Sequence, residues 1–108
     1  KDHPVLKQFK ILLTLVKLWD VCKGLKEKVE VYLYGSVALG EDDQASDVDI
    51  LILGKIEKEE LLELVERMKE SLKREVKPLV LTPLEYSMLA RKDEALYESI
   101  EESKIRVI

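Results

Sequence analysis

The chain has 108 residues, of which 46% are hydrophobic and 37% are charged, and its formal net charge is −4. This length is enough for one compact domain, so we expect residues 1–108 to form a single domain. The acidic balance argues against a general nucleic-acid-binding surface. Cys22 is the single cysteine, which excludes an internal disulfide and favours a reducing, cytoplasmic location. The sequence contains no apolar run of about 18 residues, as a membrane span requires, and no recognisable signal peptide. It begins with Lys1, which leaves open whether it is a segment of a longer protein.

A helix is predicted over 5–23, and its apolar surface is unusually wide. Apolar residues recur at spacings of three and four along its length, and others lie between them. Two interpretations stay open: the helix packs only on a sheet, or part of it faces a second subunit or another domain. The apolar residues are Val5, Leu6, Phe9, Ile11, Leu12, Leu13, Leu15, Val16, Leu18, Trp19, Val21 and Cys22.

The middle of the chain predicts two strands and a second long helix. Alternating apolar and polar residues indicate a strand over 29–34, and an apolar run indicates another over 48–53. Between them, 36–39 suit a short helical turn, and 41–46 form a polar loop. A helix is then predicted over 57–74, with its leucines on one face.

The last third of the chain predicts one strand, two helices and a short terminal strand. The strand over 75–82 contains Pro78, which argues for an edge position. Thr82 suits the N-cap of a helix to about residue 90, and Asp93 suits the cap of a helix to about residue 102. Residues 104–108 suit a final strand. This order predicts an α/β (α+β) fold, a small mixed β-sheet with helices packed mainly on one face.

The segment 34–52, YGSVALGEDDQASDVDILI, carries the strongest functional signal. Gly35 and Ser36 end the first strand, where free backbone N–H groups suit phosphate oxygens. Asp47 and Asp49 project to one face of the next strand, with Cα atoms roughly 6.5–7 Å apart. Two such carboxylates suit Mg²⁺, which binds one or two protein carboxylates together with substrate phosphates. Asp49 also interrupts an apolar strand, where a carboxylate costs stability unless it is paired or metal-bound.

Gly-Ser, ten intervening residues and then Asp-x-Asp resemble the polymerase-β-type nucleotidyltransferase superfamily, and within it the minimal nucleotidyltransferase (MNT) domains. A looser similarity extends over REVKPLVLTPLEY at 74–86. The resemblance implies the polymerase-β-like fold and transfer of a nucleoside monophosphate from a nucleoside triphosphate such as ATP, with pyrophosphate as the leaving group. It also implies Mg²⁺ as the cofactor, with room for two ions, and Asp47 and Asp49 as catalytic residues and metal ligands.

The resemblance further implies that Gly35 and Ser36 bind phosphate groups, and Ser46 and Lys77 are additional candidates for phosphate binding. In the family, a third acidic residue lies on the strand after the long helix, and this chain has Lys77 at that position. A lysine can neutralise phosphate but cannot bind a metal. Glu75 is the nearest acid on the same strand. Either it substitutes as a third catalytic carboxylate, or it is an ordinary solvent-facing residue.

Two functions therefore stay open, as do the base preference and the acceptor. The first is a Mg²⁺-dependent nucleotidyltransferase that modifies a protein or a nucleic-acid end. The second is a catalytically weakened nucleotide-binding or regulatory module that acts through a partner. Minimal nucleotidyltransferases commonly pair with a small helical HEPN protein in toxin–antitoxin systems, so the resemblance implies such a partner. A homo-oligomer through the helix at 5–23 is the alternative.

Overall fold

The structure is a computed structural model that describes residues 3–25, 28–43 and 45–108. The predicted order of helices and strands is confirmed, and each end lies within two residues of its predicted position. The helices are α1 (Pro4–Cys22), α2 (Ser36–Leu39), α3 (Lys58–Leu72), α4 (Pro83–Lys92) and α5 (Glu94–Ser103). The strands are β1 (Val29–Tyr34), β2 (Val48–Gly54), β3 (Val76–Leu81) and β4 (Ile105–Arg106).

The strands form one mixed sheet of four strands in the order β3-β2-β1-β4. β1 pairs antiparallel with β2 and with β4, whereas β2 pairs parallel with β3. The strand β3 therefore lies at one edge of the sheet, as the proline at position 78 indicated. The two central strands bring the end of β1 next to the start of β2, which is where the Gly-Ser and Asp-x-Asp motifs lie.

The main hydrophobic core lies between one face of the sheet and the helices α1, α2 and α3. A smaller cluster around Tyr34, Leu51 and Ile100 lies on the opposite face, where side chains of α4 and α5 pack against it. The larger core thus agrees with the prediction of helices mainly on one face. The second face is covered as well, because β2 is apolar on both faces and buries both Ile50 and Leu51 completely.

The ends of the shorter helices follow from local chemistry. Gly40 has φ 70°, in the left-handed region, and ends α2. The side chains of Thr82 and Glu85 form a reciprocal capping box at the start of α4. The Asp93 carboxylate accepts a hydrogen bond from the N–H of Leu96 and caps α5. These caps fix where the helices begin relative to β3.

The long helix α1 is buried only in part. Leu18 and Cys22, near its C-terminal end, are fully buried. Seven large apolar side chains of the same helix are between 45% and 67% exposed, so the described part of the chain does not cover them. They form the exposed α1 face, which consists of Val5, Leu6, Phe9, Leu12, Leu13, Val16 and Trp19. Among the helices of the described residues, none has the length and apolar character needed to cross a membrane.

Candidate functional site

The site begins where β1 ends beside the start of β2. Antiparallel pairing places Tyr34 opposite Asp49. Gly35, the next residue, therefore lies against the side chain of Asp49. Gly35 has φ 80°, and a β-carbon at this position would overlap with Oδ2 of Asp49. Only glycine combines this backbone conformation with this close approach. The structure therefore brings the Gly-Ser turn and the second aspartate of the motif into direct contact.

Lys77 and Asp47 lie next to this contact. Lys77 of β3 is the register partner of Asp49 in the parallel pairing of β2 with β3. Its Nζ is 3.8 Å from Oδ2 of Asp47, and the two side chains are 71% and 39% exposed. An ion pair this long and this exposed contributes little stability, so it leaves the carboxylate available for another cation. Gly35, Asp47, Asp49 and Lys77 form one cluster, which we call the aspartate site.

Within the aspartate site, Asp49 is a carboxylate whose pKa is shifted. Its pKa is raised from the ordinary value, chiefly because burial disfavours the charged carboxylate. The charge of Lys77 acts to lower this pKa, and that of Asp47 acts to raise it further. The charge of Asp49 is thus incompletely compensated by the protein, and a bound divalent cation would supply the missing compensation.

The backbone N–H groups of the Gly-Ser turn differ in whether a protein group already accepts their hydrogen bonds. The N–H of Gly35 donates to Oγ of Ser103 at 2.8 Å, and that hydroxyl donates to the carbonyl of Ser99 at 2.7 Å. The N–H of Gly35 is therefore engaged within the protein. The N–H of Leu39 donates to the Gly35 carbonyl at 3.2 Å, whereas the N–H groups of Ser36, Val37 and Ala38 precede this first bond of α2. A phosphate at this turn would meet Ser36 and the N–H groups that follow it.

The candidate third carboxylate, Glu75, lies beside a cleft that Asp47 also lines. Glu75 precedes the first residue of β3, and its side chain is 75% exposed. The carboxylate of Glu75 is 3.4 Å from Nζ of Lys69 on α3, with which it forms an exposed ion pair. Across residues 3–25, 28–43 and 45–108, no group of three or more His, Cys, Asp or Glu side chains could hold a metal ion. The aspartate site thus offers two carboxylates.

Residues 15–107 match the model of the nucleotidyltransferase domain family. The chain belongs to this family. The match covers both halves of the motif, and the membership confirms the resemblance stated from the sequence. No curated protein matches this nucleotidyltransferase domain in sequence.

Solved structures share the fold of this nucleotidyltransferase domain. A toxin–antitoxin complex with AMP-PNP matches with 18% identity and a TM-score of 0.62, over 87% of this chain and 72% of that chain. A tri-AMPylated HEPN toxin in complex with an MNT antitoxin, from Shewanella oneidensis, matches with 17% identity and a TM-score of 0.58, over 91% and 71%. An MntA–HepT toxin–antitoxin complex matches with 17% identity and a TM-score of 0.57, over 90% and 71%. At these identities the likeness establishes the fold, and the predicted polymerase-β-like nucleotidyltransferase fold is confirmed.

In this nucleotidyltransferase domain, the polar groups of Ser46 make hydrogen bonds within the loop before β2. The hydroxyl of Ser46 donates to the Asp43 carboxylate and accepts from the Asp43 N–H, both at 3.2 Å. The carbonyl of Ser46 accepts hydrogen bonds from the Arg74 guanidinium. Ser46 was a predicted phosphate ligand, and in the structure its polar groups hold the loop that leads into Asp47.

Two residues with contacts at the site were missed in the sequence. Ser103 is the one buried polar residue among those described. It lies at helical spacing from Leu96 and Ile100, so a serine on the inner face of α5 was the available signal. Arg74 was missed because its contacts lie about 30 residues away in the chain, at 42–46, and no spacing rule connects them.

A cleft of about 590 Å³ opens beside Asp49. This volume lies within the range of ~300–1,000 Å³ that is common for small-molecule sites. The cleft combines the charged groups of the aspartate site with apolar surface from β3 and α5, which suits a ligand with a charged end and a ring system. Residues that line it include Tyr34, Asp49, Lys77, Leu79, Leu96 and Ser99.

Proposed function

We propose that this protein binds a nucleoside triphosphate with Mg²⁺ at the aspartate site and transfers the nucleoside monophosphate to an acceptor, a protein side chain or a nucleic-acid end. The observation that carries the proposal is the direct contact between Gly35 and Asp49, with Asp47 and Lys77 beside it. Membership of the nucleotidyltransferase domain family supports it. The toxin–antitoxin complex with AMP-PNP, which shares the fold, supports a nucleotide as the ligand.

The donor set of the aspartate site fits Mg²⁺. Asp47 and Asp49 offer carboxylate oxygens, the ligands that this ion prefers, and Mg²⁺ is usually held by one or two carboxylates plus substrate phosphates. The raised pKa of Asp49 marks a carboxylate whose negative charge the protein compensates poorly. When bound, Mg²⁺ would neutralise charge on the triphosphate and on the attacking oxygen.

The residues of the chain have distinct tasks in the proposed reaction. An acceptor oxygen forms a bond to the α-phosphorus while the bond from this phosphorus to the oxygen bridging to the β-phosphate breaks. Pyrophosphate leaves, and the acceptor proton passes to solvent. Gly35 lets the Asp49 carboxylate lie against the backbone of the turn, and Ser36 donates to the phosphate oxygens. Lys77 adds positive charge beside Asp49, where negative charge collects.

A second function is favoured by two other observations. Lys77 stands where the resemblance implies a third acid, and the exposed α1 face is apolar and uncovered. A contiguous apolar surface of this kind marks an interaction site. The alternative is therefore a nucleotide-binding or regulatory module that acts through a partner. A helical HEPN-type protein is the proposed partner, as in the complex of the HEPN toxin with the MNT antitoxin, and a second copy of this chain is the other candidate.

Calorimetry with ATP, GTP, CTP and UTP, each with and without Mg²⁺, tests the site. We expect binding that requires Mg²⁺ in the unchanged protein and its loss in Asp49→Asn. Asp20→Asn is the matched control, because the Asp20 side chain is 71% exposed on α1 and pairs with Lys23, away from the site. Nucleotide binding without Mg²⁺ dependence, or equal binding by Asp49→Asn, would contradict the proposal.

Incubation with α-labelled ATP separates the two functions. The protein is mixed with the candidate helical partner or with RNA, and label on the acceptor is measured. Transfer that Asp49→Asn abolishes supports the enzyme. Mg²⁺-dependent binding without transfer to any acceptor supports the regulatory module.

A further inference from the structure

Arg74 lies between α3 and β3, and its side chain holds the loop that leads into Asp47. Its Nη1 donates to Oδ2 of Asp42 at 2.6 Å. Its Nη2 donates to the carbonyls of Asp43 and Ser46, both at 2.7 Å, and its Nε donates to the Ser46 carbonyl at 3.2 Å. One guanidinium therefore joins three residues of the loop in a fixed geometry.

The contact between Arg74 and Asp42 is shielded from solvent. The Asp42 side chain is 4% exposed and that of Arg74 is 19% exposed. Lys10 on α1 adds a second cation, 3.4 Å from the other Asp42 oxygen. Burial alone would raise the pKa of Asp42, but the hydrogen bond from Arg74, a backbone hydrogen bond and the charge of Lys10 outweigh it and lower the pKa. The loop is thus tied to α1 and to the start of β3 together.

These contacts fix the backbone on both sides of Asp47. On one side, the Ser46 carbonyl accepts from Arg74 at 2.7 Å. On the other side, the N–H of Val48 donates to the carbonyl of Glu75 at 2.9 Å. Adjacent residues, 74 and 75, therefore hold the peptide groups that flank Asp47. Among the described residues, the Asp47 side chain has one polar contact, the long and exposed one with Lys77, so its position depends on this backbone support.

We propose that Arg74 is a positioning residue of the aspartate site, whose guanidinium holds Asp42, Asp43 and Ser46 so that the Asp47 carboxylate stays beside Asp49 and can bind the metal–nucleotide complex. This inference rests on the proposed function, because only a ligand role gives the position of Asp47 a consequence. Arginine is required for its planar fork of donors. A lysine would keep the charge opposite Asp42 but, as a single point of contact, would not hold the Asp43 and Ser46 carbonyls as well.

The test compares Arg74→Lys and Arg74→Gln with the unchanged protein. Arg91→Gln, at an exposed arginine on α4, is the matched control. The affinity for AMP-PNP with Mg²⁺ is measured by calorimetry, and amide hydrogen exchange at 45–48 is measured on the metal-free proteins. Loss of such supporting contacts typically weakens metal binding about 10- to 100-fold, and we expect this for both Arg74 variants. We also expect faster exchange at 45–48 in both, and no change in Arg91→Gln.

The outcomes separate this inference from the proposed function. Unchanged affinity in folded Arg74→Lys and Arg74→Gln would overturn the positioning role and leave the function standing. If the unchanged protein does not bind Mg²⁺ and AMP-PNP, the proposed function fails, and with it the ligand role of Asp47. Amide hydrogen exchange then tests whether Arg74 fixes the backbone beside Asp47. Faster exchange at 45–48 in the Arg74 variants supports this role, and equal exchange overturns it. If Arg74→Gln does not fold, Arg74→Lys decides.

Discussion

Oδ2 of Asp49 occupies the space that a β-carbon on Gly35 would need. Replacing Gly35 with alanine forces a side chain into a left-handed backbone, which costs about 1–3 kcal/mol, and also displaces the Asp49 carboxylate. We expect Gly35→Ala to lower the free energy of unfolding by at least that amount and to abolish Mg²⁺-dependent nucleotide binding. Urea unfolding and calorimetry measure the two effects.

Gly24→Ala is the control for this prediction. A β-carbon at Gly24 would meet no atom within 4 Å. A change at such an open position is expected to stay within about 0.5 kcal/mol. Equal stability and equal binding of the Gly24 and Gly35 variants would show that the contact with Asp49 has no role.

The raised pKa of Asp49 predicts a pH dependence of Mg²⁺ binding. Mg²⁺ needs the ionised carboxylate, so protons compete with it at pH values above the ordinary 3.8 of an aspartate. We expect the affinity to fall on acidification before pH 3.8 is reached, with proton release on binding. Calorimetry in buffers of different ionisation enthalpy measures that release. If no protons are released on Mg²⁺ binding at the pH values above 3.8 where the affinity falls, the assignment of Asp49 as a ligand is contradicted.

The same shift predicts the sign of a stability change. A carboxyl group whose pKa is raised in the folded state destabilises that state when it is ionised at neutral pH. Asp49→Asn should therefore leave the free energy of unfolding equal or higher at pH 7, although it abolishes nucleotide binding. A thermal unfolding scan checks this, and a large loss of stability would indicate a structural role for the carboxylate.

A substitution at Lys77 tests whether a third carboxylate at this position would strengthen Mg²⁺ binding. Lys77 is the register partner of Asp49 and its side chain is 71% exposed, so a glutamate is tolerated there. We expect Lys77→Glu to tighten binding of Mg²⁺ in the absence of nucleotide, because a third carboxylate joins the pair. Glu75→Ala is the matched control and should leave Mg²⁺ affinity unchanged, since Glu75 pairs with Lys69. A weaker Mg²⁺ affinity in Lys77→Glu would contradict the prediction.

Asp42 should make the stability of the protein sensitive to acid. Its lowered pKa means that its contribution is complete above pH 3.8, the ordinary value, and is lost as the pH falls through the lower folded-state pKa. We expect Asp42→Asn to lower the free energy of unfolding at pH 7 by about 1–3 kcal/mol, the cost of an impaired buried hydrogen bond. Urea unfolding at pH 7 and near pH 3 measures it. A difference between the variant and the unchanged protein that does not shrink at low pH would argue against the Arg74 contact.

The exposed α1 face predicts association. Leu12 on α1 and Leu62 on α3 are each 58% exposed, so they form a matched pair of positions. Burial of a leucine side chain contributes about 1.5–3 kcal/mol. Leu12→Ser should therefore weaken binding of the partner, or self-association, by roughly tenfold or more, whereas Leu62→Ser should not. Sedimentation analysis of the protein alone and with the candidate partner decides between these outcomes.

The sequence predicted most of the fold because its signals are local. Alternation in β1, the apolar run of β2 and the Thr82 cap each depend on a few neighbouring residues. The meeting of Gly35 and Asp49 was also within reach, because one motif ends a strand and the other begins the next. The cover on the second face was not predicted, since α4 and α5 reach it through tertiary packing around Leu51.

The supporting contacts of the site lay beyond sequence reasoning. The bond from Gly35 to Ser103 joins residues 68 positions apart, and the bond from Arg74 to Ser46 joins residues 28 apart. No periodicity links such pairs. The prediction for Glu75 assumed that β3 begins at residue 75, whereas the strand begins at Val76. A shift of one residue at a strand end changes the face to which a side chain points.

The seven uncovered side chains of α1 have a consequence for how this protein is handled and measured. If a second molecule covers them only in the folded state, mass action links folding to assembly. The melting temperature would then rise with the concentration of the protein or of its companion, and a value measured on the dilute, isolated chain would understate the stability reached in the assembled state. Co-production with the companion should accordingly give more intact material than production alone.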